Sequence, residues 1–407
     1  MEPDPATLPE RTWLELPPGT GFGLDNLPLG IFSTDDDARP RTGVRIGDVV
    51  LDLWAWSHDE DHATGSLNAF LARGPRRWAE LRQDLRNCLT DEAYRDGTEP
   101  FLVPVVDVRM HLPVEVADYV DFYSSRHHAE NVGRLFRPDA EPLTPNWTHL
   151  PIGYHGRAGT VRVSGTPVVR PCGQRKAPTD DVPTFGPSMK LDIEAEVGFV
   201  VGTPSALGEP VRLAAFPDHV FGVCLVNDWS ARDLQAWEYV PLGPFLGKSF
   251  LTSVSPWVVP LAALAAARAA APPRESVVLP YLDDVAHPWG LDITLEVRLN
   301  GQVVSRPPFR EMYWTPAQQL AHLTVNGASL RTGDLYASGT VSGPERDQLG
   351  SLLELSWNGA EPLTLADGST RTFLEDGDEV TIAGTAPGAA GGRICLGEVT
   401  GRVRPAI

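Results

Sequence analysis

Glycine and proline occur throughout this chain of 407 residues, and they limit the possible folds more than any other feature. The chain contains 38 of each, spread along its length rather than gathered in one segment. Both interrupt helices, because glycine loses much backbone freedom on folding and proline lacks an amide donor. This distribution excludes a long helical bundle. It favours a mainly β protein of mixed α/β content, with many loops.

The composition indicates a folded protein with more than one domain. Hydrophobic residues make up 42% of the chain and charged residues 21%, which allows packed cores and excludes general disorder. The N-terminal segment, residues 1–118, has the pattern of a separate small unit. A hairpin is predicted at Gly47-Asp48, followed by helices near 67–73 and 76–95. His58 and His62 lie among acidic residues there, and we interpret both as solvated.

The charge and the cysteines exclude several partners and compartments. The formal net charge is −19 at pH 7, and so acidic a surface repels phosphate backbones and anionic lipid. We therefore expect no nucleic-acid and no membrane partner. The four scattered cysteines contain no C-x-x-C pair, which predicts a reducing compartment. The acidic start is unlike a signal peptide, so we expect a soluble cytoplasmic protein.

The segment 189–201 carries the first candidate site. Its residues alternate in polarity, which is typical of a strand and places Asp192, Glu194 and Glu196 on one face. Carboxylates two residues apart on a strand lie about 6.5 Å apart at Cα, so both can reach one cation. An ordinary solvated face would alternate in the same way. The apolar run after Glu196 favours an internal strand, where buried carboxylates need a counter-charge such as Mg²⁺ or Ca²⁺.

The segment 220–239 predicts a buried strand followed by a helix. Asp228 falls at the junction, where it can be a helix N-cap or a ligand at the strand end. A single helical stripe contains Asp228, Arg232, Gln235 and Tyr239. An exposed polar helix face is the alternative interpretation. Apolar residues off the stripe can pack the helix and leave this chemically varied face free.

Lysine is rare in this chain, so its positions are informative. The three lysines are Lys176, Lys190 and Lys248, and a bias towards arginine alone explains the scarcity. Lys248 lies in Gly247-Lys248-Ser249. Near a cleft, the compact ammonium group of a lysine interacts differently from the planar guanidinium of an arginine, so this lysine is a candidate site residue. The run before it lacks P-loop spacing, so nucleotide binding is not predicted.

Asp121 lies just before a helix predicted over residues 122–136. Two adjacent histidines, His127 and His128, lie within this helix. A histidine can accept a proton near neutral pH, which makes His128 a candidate general base. A surface or core histidine is the alternative. His127 points roughly 100° away around the helix, so at most one of the two lines a given site. The sequence contains no H-E-x-x-H and no G-x-S-x-G motif, which argues against a zinc site and a serine-hydrolase elbow.

Several long segments closely resemble the fumarylacetoacetate hydrolase family. They are D-F-Y-S-S-R-H-H-A-E-N-V-G (121–133), N-W-T-H-L-P-I-G-Y-H-G-R (146–157), V-S-G-T-P-V-V-R-P-C-G-Q (163–174), D-I-E-A-E-V-G-F-V (192–200), N-D-W-S-A-R-D-L-Q-A-W-E-Y-V-P-L-G-P-F-L-G-K-S-F (227–250) and S-G-T-V-S-G-P-E (338–345). The resemblance extends over nearly the whole chain, and motifs this long and numerous are highly specific.

The resemblance implies a fold, an assembly and an activity. It implies a small N-terminal SH3-like β-barrel domain, residues 1–118, and a larger C-terminal mixed β-roll domain, residues 119–407. It implies a homodimer. The implied reaction on a small-molecule substrate is hydrolysis of 4-fumarylacetoacetate to fumarate and acetoacetate, the last step of tyrosine and homogentisate catabolism.

The resemblance also implies roles for individual residues. The implied ligands of a divalent cation, Mg²⁺ or Ca²⁺, are Asp121, Glu194, Glu196 and Asp228, bordered by Lys248 and Thr252. His128 is the implied proton acceptor, oriented by Glu354. Developing negative charge would be stabilised by Arg232, Gln235 and Lys248. The implied substrate contacts are Tyr123, Arg137, Tyr154, Gln235, Tyr239 and Thr340.

Two alternative functions stay open on the sequence. One is a related acylpyruvate or β-diketone hydrolase, or a 2-oxoacid decarboxylase, with the same metal site. The N-terminal domain and the tyrosines at 123, 154 and 239 argue against it. The other is a non-catalytic metal-binding scaffold with merely solvated acids. A scaffold has no use for His128, Lys248 and Glu354 together.

Overall fold

The computed structural model describes residues 11–177 and 179–407, and sheets dominate it. Strands β1–β5 are Leu29–Thr34, Arg41–Ile46, Val49–Asp52, Leu102–Pro104 and Val108–His111. Helices α1–α4 are Leu53–Ser57, Asn68–Leu71, Pro75–Thr90 and Arg95–Thr98. The five strands form one antiparallel sheet in the order β4-β3-β2-β1-β5. The hairpin predicted at Gly47-Asp48 joins β2 to β3.

The remaining strands and helices follow residue 118. Strands β6–β17 are Tyr119–Phe122, Gly153–His155, Val161–Val163, Val168–Val169, Cys172–Arg175, Thr184–Pro187, Leu191–Asp192, Ala195–Val201, Val220–Asp228, Ser230–Ala231, Thr252–Val254 and Val259–Pro260. Strands β18–β26 are Arg268–Ala269, Gly290–Leu291, Thr294–Leu299, Gln302–Ser305, Leu335–Ala337, Leu363–Thr364, Thr370–Arg371, Glu379–Pro387 and Arg393–Arg404. Helices α5–α10 are Arg126–Phe136, Phe216–His219, Arg232–Glu238, Leu246–Ser249, Pro316–Thr324 and Leu352–Leu355.

Two larger sheets pack against each other in this part of the chain. The first has the order β7-β6-β22-β13-β14-β16-β8, with β17 also paired to β14. The second has the order β21-β20-β25-β26-β9. Every residue of β13 and β14 is buried, as expected for strands covered on both faces. A single apolar core lies between the sheets and includes Leu225, Leu295 and Leu396.

A second apolar cluster joins the N-terminal sheet to the outer face of the first large sheet. Ile31 and Leu51 belong to the same buried cluster as Val200, Phe221 and Val226 of the strands that carry the acidic motif. The N-terminal sheet therefore covers the back of these central strands. The observed fold is mixed α/β and sheet-dominated, while the SH3-like form of the N-terminal sheet stays a prediction.

Local structure differs from the sequence predictions in three places. The helix predicted over 122–136 begins only at Arg126, because residues up to Phe122 form β6 and the Ser125 hydroxyl caps the helix by accepting a bond from the His128 amide. The dipeptide Asn358-Gly359, which is typical of a hairpin and predicts one, is instead a turn after α10. The segment 384–392 is rich in glycine and alanine, which predicts a loop, but it is strand as far as Pro387. By contrast, Asn300-Gly301 does join β20 to β21.

Among the helices of the described residues, none is long and apolar enough to cross a membrane.

His62 lies inside the N-terminal part, so the interpretation as a solvated side chain is wrong for it. It is fully buried, and its ring lies 5.2 Å from that of Phe70 between ring centroids. Neither ring nitrogen has a hydrogen-bond partner. Burial lowers the pKa of this imidazole to about 4, although nearby Asp59 opposes the shift. His58 is exposed, as predicted.

The buried imidazole predicts a loss of stability in acid. Below pH 6.5 the unfolded chain binds a proton at His62 that the folded chain does not bind until about pH 4. The free energy of unfolding therefore falls as the pH falls through this window, by about 3 kcal/mol in total. His62→Phe removes this dependence. Urea denaturation from about pH 7 down to about pH 4 should show a shallower decline for the variant than for the parent.

His58→Asn is the matched control, because His58 is exposed and asparagine tolerates its positive φ of 55°. This variant should keep the parental dependence on pH. Equal slopes for the parent and His62→Phe would contradict the assignment.

Candidate active site

The ends of four strands meet at one edge of the first large sheet. Strands β6 and β14 run in the same direction, since β6 is parallel to β22 and β13 is antiparallel to both β22 and β14. Asp121 and Asp228 therefore lie at the ends of their strands on the edge where β13 and β16 begin. Glu194 immediately precedes β13, and Thr252 opens β16 opposite Asp228. This topology brings together residues that lie up to 131 positions apart along the sequence.

Three of the four predicted carboxylates form a compact, buried cluster. One oxygen each of Asp121, Glu194 and Asp228 lies within 4.8 Å of the others. The Tyr154 hydroxyl bridges two of them, 3.1 Å from Asp121 Oδ2 and 3.0 Å from Asp228 Oδ2. Glu196 is fully buried beside this cluster but lies outside the three-carboxylate group.

Charge in this cluster is only partly compensated. Both carboxylate oxygens of Glu196 and Oδ1 of Asp121 are buried without a hydrogen-bond partner among residues 11–177 and 179–407. Burial, followed by the neighbouring carboxylates, raises the pKa of Asp121 and of Glu196 well above the usual range. The two side chains resist ionisation until a further positive charge is present.

Two buried cations neutralise the other side of the cluster. The Lys248 ammonium donates to Glu194 Oε2 and, at 2.9 Å, to Asp228 Oδ2. The Arg232 Nη1 atom lies 2.7 Å from Glu194 Oε1. Burial would raise the pKa of Glu194, but Lys248 and Arg232 outweigh burial and hold that pKa below its usual value. Glu194 is therefore ionised near neutral pH.

Lys248 reaches the cluster because α8 packs tightly against α7. A Cβ atom on Gly247 would lie only 2.8 Å from the backbone nitrogen of Gln235, so no larger residue fits without displacing a helix. Glycine at this position lets the two helices approach. The close approach explains why a lysine on a four-residue helix is buried.

A histidine–carboxylate pair lies beside the acidic cluster. His128 Nδ1 is 2.7 Å from Glu354 Oε2, and both side chains are buried. Burial would raise the pKa of Glu354, but His128 and further hydrogen bonds lower it. The pair is arranged so that Nδ1 is held by the carboxylate, which directs the other ring nitrogen, Nε2, away from Glu354.

Both groups open on one cavity of about 400 Å³. Its lining includes all six predicted substrate contacts: Tyr123, Arg137, Tyr154, Gln235, Tyr239 and Thr340. It also includes Asp121, His128, Glu194, Arg232 and Lys248. His127 is half-buried on the same helix and does not line the cavity. Of the predicted site residues, Glu196, Asp228, Thr252 and Glu354 do not line this cavity, and Asp228 and Thr252 line a neighbouring pocket. Of the two histidines, His128 lines the cavity.

The sequence prediction missed the residues that hold Glu354 in place. Asn131 donates to Glu354 Oε1 at 3.0 Å, while Ser342 and Ser351 donate to Oε2 at 2.9 and 2.8 Å. Ser351 and Glu354 have the S-x-x-E spacing of a helix N-terminus, which is a signal that could have found them. Ser342 lies 12 positions before Glu354, within the segment 338–345 that carries the family resemblance, but its spacing from Glu354 matches no helix or strand period.

Comparison with known proteins identifies the chain. A family model described as Fumarylacetoacetate (FAA) hydrolase C-terminal matches residues 118–404, and one described as Fumarylacetoacetase N-terminal matches residues 25–113. The chain belongs to the fumarylacetoacetate hydrolase family. The fumarylacetoacetase of Homo sapiens is 48% identical, over 95% of this chain and 97% of that protein. The fumarylacetoacetase of Oryza sativa subsp. japonica is 45% identical, over 98% of each.

Solved structures at low sequence identity share the fold. The fumarylacetoacetate hydrolase from psychrophilic Exiguobacterium antarcticum aligns with a TM-score of 0.56 at 17% identity, covering 93% of this chain and 99% of that one. The maleylpyruvate hydrolase from Sphingobium sp. SYK-6 aligns with a TM-score of 0.52 at 15% identity, covering 93% and 100%. At such low identity the likeness concerns the fold alone.

The acidic cluster of this family member fits a hard divalent cation. Its ligand atoms would be buried carboxylate oxygens, which Mg²⁺ and Ca²⁺ prefer. The partnerless oxygens of Asp121 and Glu196 are donors that lack any other use in the described structure. Four carboxylates face only two cationic side chains, so a bound divalent ion reduces the excess negative charge.

Glu196→Gln should weaken the binding of Mg²⁺ and Ca²⁺ about tenfold or more, because it removes an anionic oxygen from the cluster. The fold of the metal-free protein should be retained. Burial already disfavours the ionised form of the Glu196 carboxyl group, and the amide that replaces it is uncharged. Titration calorimetry of the metal-free protein measures the affinity, and thermal unfolding checks the fold.

Glu361→Gln is the control, because Glu361 is an exposed acid paired with Arg346 on the surface. It should bind metal like the parent. Unchanged affinity in Glu196→Gln would exclude Glu196 from the metal site.

Proposed function

We propose that this chain hydrolyses 4-fumarylacetoacetate to fumarate and acetoacetate, the last step of tyrosine and homogentisate catabolism. The near full-length identity to fumarylacetoacetases supports this reaction. The observation that carries it in the structure is the buried His128–Glu354 pair, which opens on the same cavity as the acidic cluster. A proton acceptor and a cation site beside one cavity are what hydrolysis of a carbon–carbon bond in a diketone requires.

His128 is the proposed general base. It takes a proton from water, and the resulting hydroxide adds to the carbonyl carbon that becomes the carboxylate carbon of fumarate. Glu354 stabilises the imidazolium that forms, as a buried carboxylate does when it accepts a bond from the opposite ring nitrogen. Asn131, Ser342 and Ser351 keep Glu354 ionised and fixed.

Negative charge then develops on the substrate, and buried donors are the proposed stabilisers. Lys248, Arg232 and Gln235 all line the cavity, and Arg232 Nη2 has no hydrogen-bond partner in the described structure. Fixed donors in a site that excludes water stabilise an oxyanion without reorganisation. When the carbon–carbon bond breaks, its electron pair goes to the acetoacetate fragment as an enolate. The enolate takes a proton at carbon, and the proton that His128 removed from water balances this uptake, so the base is regenerated.

The proposed metal ligands are Asp121, Glu194, Glu196 and Asp228, with Lys248 and Thr252 beside them. A bound Mg²⁺ or Ca²⁺ supplies positive charge that stabilises an enolate of the dicarbonyl group. Thr252 donates to Asp228 Oδ1 at 2.9 Å and so orients that carboxylate. The proposed substrate contacts are the six polar side chains that line the cavity: Tyr123, Arg137, Tyr154, Gln235, Tyr239 and Thr340.

The proposal extends to organisation and location. We propose two domains, residues 1–118 and 119–407, which the separate N-terminal sheet and the two family models support. We also propose a homodimer in the cytoplasm. The four cysteines are free, which suits a reducing compartment, and the net charge of −19 disfavours nucleic-acid partners.

The activity is tested with a panel of substrates read by the loss of diketone absorbance. We expect 4-fumarylacetoacetate to give a higher kcat/KM than acylpyruvates, because the cavity offers polar contacts along its length. EDTA should abolish turnover, and Mg²⁺ or Ca²⁺ should restore it. A higher kcat/KM for an acylpyruvate would contradict the proposed substrate, and full activity in EDTA would contradict the metal requirement.

His128→Ala should lower kcat by about 10²-fold or more, because the general base is lost. Its thermal unfolding and its affinity for Mg²⁺ should stay close to those of the parent. The control is His127→Ala on the same helix, which should keep activity within about twofold. Near-parental kcat in His128→Ala, or an equal loss in His127→Ala, would reject His128 as the base.

A further inference from the structure

Asp192 is a fully buried carboxylate that does not line the cavity. It accepts four hydrogen bonds. Its Oδ1 atom accepts from the amides of Ile193 and Leu352, each at 2.7 Å. Its Oδ2 atom accepts from the Leu353 amide at 3.1 Å and from Arg232 Nε at 2.7 Å. One carboxylate therefore connects the strand, a helix terminus and a cavity-lining arginine.

The helix that Asp192 contacts is α10, and this helix carries Glu354. Leu352 and Leu353 are its first two residues, and their amides have no intrahelical acceptor at that position. Asp192 satisfies both amides. Glu354 directly follows Leu353. The hydrogen bonds to Asp192 therefore fix the start of α10, and with it the position at which the Glu354 carboxylate contacts His128.

The same carboxylate fixes the arginine on the opposite side. Arg232 uses Nε for Asp192 and Nη1 for Glu194 and, at 3.3 Å, for Gln235. The guanidinium is planar and rigid, so a charge-assisted bond at Nε determines where Nη2 points. Asp192 thus sets the direction of the one nitrogen of Arg232 that lacks a protein partner.

We propose that Asp192 is a positioning residue. It fixes the position of the hydrogen-bonded pair His128–Glu354 relative to the oxyanion donor Arg232. The proposal rests on the function proposed above for those groups. It explains why a buried acid without access to the cavity is present on β12. An asparagine offers one acceptor oxygen and a donor in place of the second. It therefore leaves either Arg232 Nε and the Leu353 amide, or the amides of Ile193 and Leu352, without an acceptor.

Asp192→Asn should lower kcat about 10–100-fold, because small displacements of catalytic groups are costly. KM and the calorimetric affinity for Mg²⁺ should change by less than about threefold, since Asp192 does not line the cavity and its carboxylate is bonded to Ile193, Leu352, Leu353 and Arg232. The matched control is Asp378→Asn. Asp378 is also buried and bonded to an arginine, Arg371, and to a backbone amide, but it lies away from the cavity. It should keep parental kcat.

A double-mutant cycle separates positioning from general support of the fold. Asp192→Asn is combined with Glu354→Gln in one cycle and with Arg232→Gln in another. If Asp192 acts through these residues, its effect on kcat shrinks to less than about threefold in each background, because groups that act as a unit are not additive. Additive losses in both cycles would overturn the proposal.

Asp192→Glu covers the case in which the asparagine variant does not fold. It keeps the charge but adds one methylene, which displaces either Arg232 or α10, and kcat should fall at least about tenfold. A kcat within about twofold of the parent would overturn the proposal. A crystal structure of either variant gives a readout without turnover: Arg232, Glu354 or His128 should move.

Failure of the proposed function is distinguishable from failure of this inference. If the parent cleaves a different diketone, the same variants and cycles are measured on that substrate. If the parent cleaves none, the proposed function fails while the crystal structures still decide the positioning. Unmoved side chains in a folded variant would overturn it.

Discussion

Uncompensated negative charge, buried at one edge of a sheet, is the constraint on which the site depends. Asp121, Glu194, Glu196 and Asp228 are buried together, and Lys248 and Arg232 form the ion pairs that oppose their charge within the described part of the chain. Burying an ionised carboxylate is costly unless it is paired. The fold therefore holds these acids together against their mutual repulsion, and the cost is offset by two buried cations and by the hydrophobic packing of the central strands.

The sheet topology makes such an arrangement possible. Parallel pairing of β6 with β22, within an otherwise antiparallel centre, brings two strand ends and two strand beginnings to one edge. Short helices then deliver the remaining groups: α5 carries His128, α7 carries Arg232, α8 carries Lys248 and α10 carries Glu354. Rigid strands set the cation site, and helices anchored on them set the groups for acid–base chemistry. The two parts meet at Asp192 and Arg232.

Much of this could be predicted from the sequence, for physical reasons that differ between residues. The acids at 192, 194 and 196 follow an alternation that a strand produces, but the strand is interrupted between Asp192 and Ala195, and Asp192 binds Arg232 and α10. Asp228 ends an apolar run, and there the local pattern sufficed. His128 could not be separated from His127 by spacing alone, because the choice depends on which face of α5 meets Glu354 across 226 positions of sequence. The helix start was predicted too early, since the apolar residues of β6 fit either period. Ser342 and the burial of His62 depend on tertiary packing and left no local trace. The roles of the site residues rest on the family resemblance, and the geometry adds their proximity.

The apolar cluster shared by the N-terminal sheet and the central strands has a consequence for evolution of the fold. Val200, Phe221 and Val226 lie on the side of β13 and β14 away from the second large sheet, and residues such as Ile31 and Leu51 shield them from water. A shortened protein that kept only the residues after 118 would expose this apolar surface to solvent. Such a protein would need another element to cover the apolar face of these strands, either an added segment of its own chain or a neighbouring copy. Without that cover, the strands that position the acidic cluster would be exposed to water.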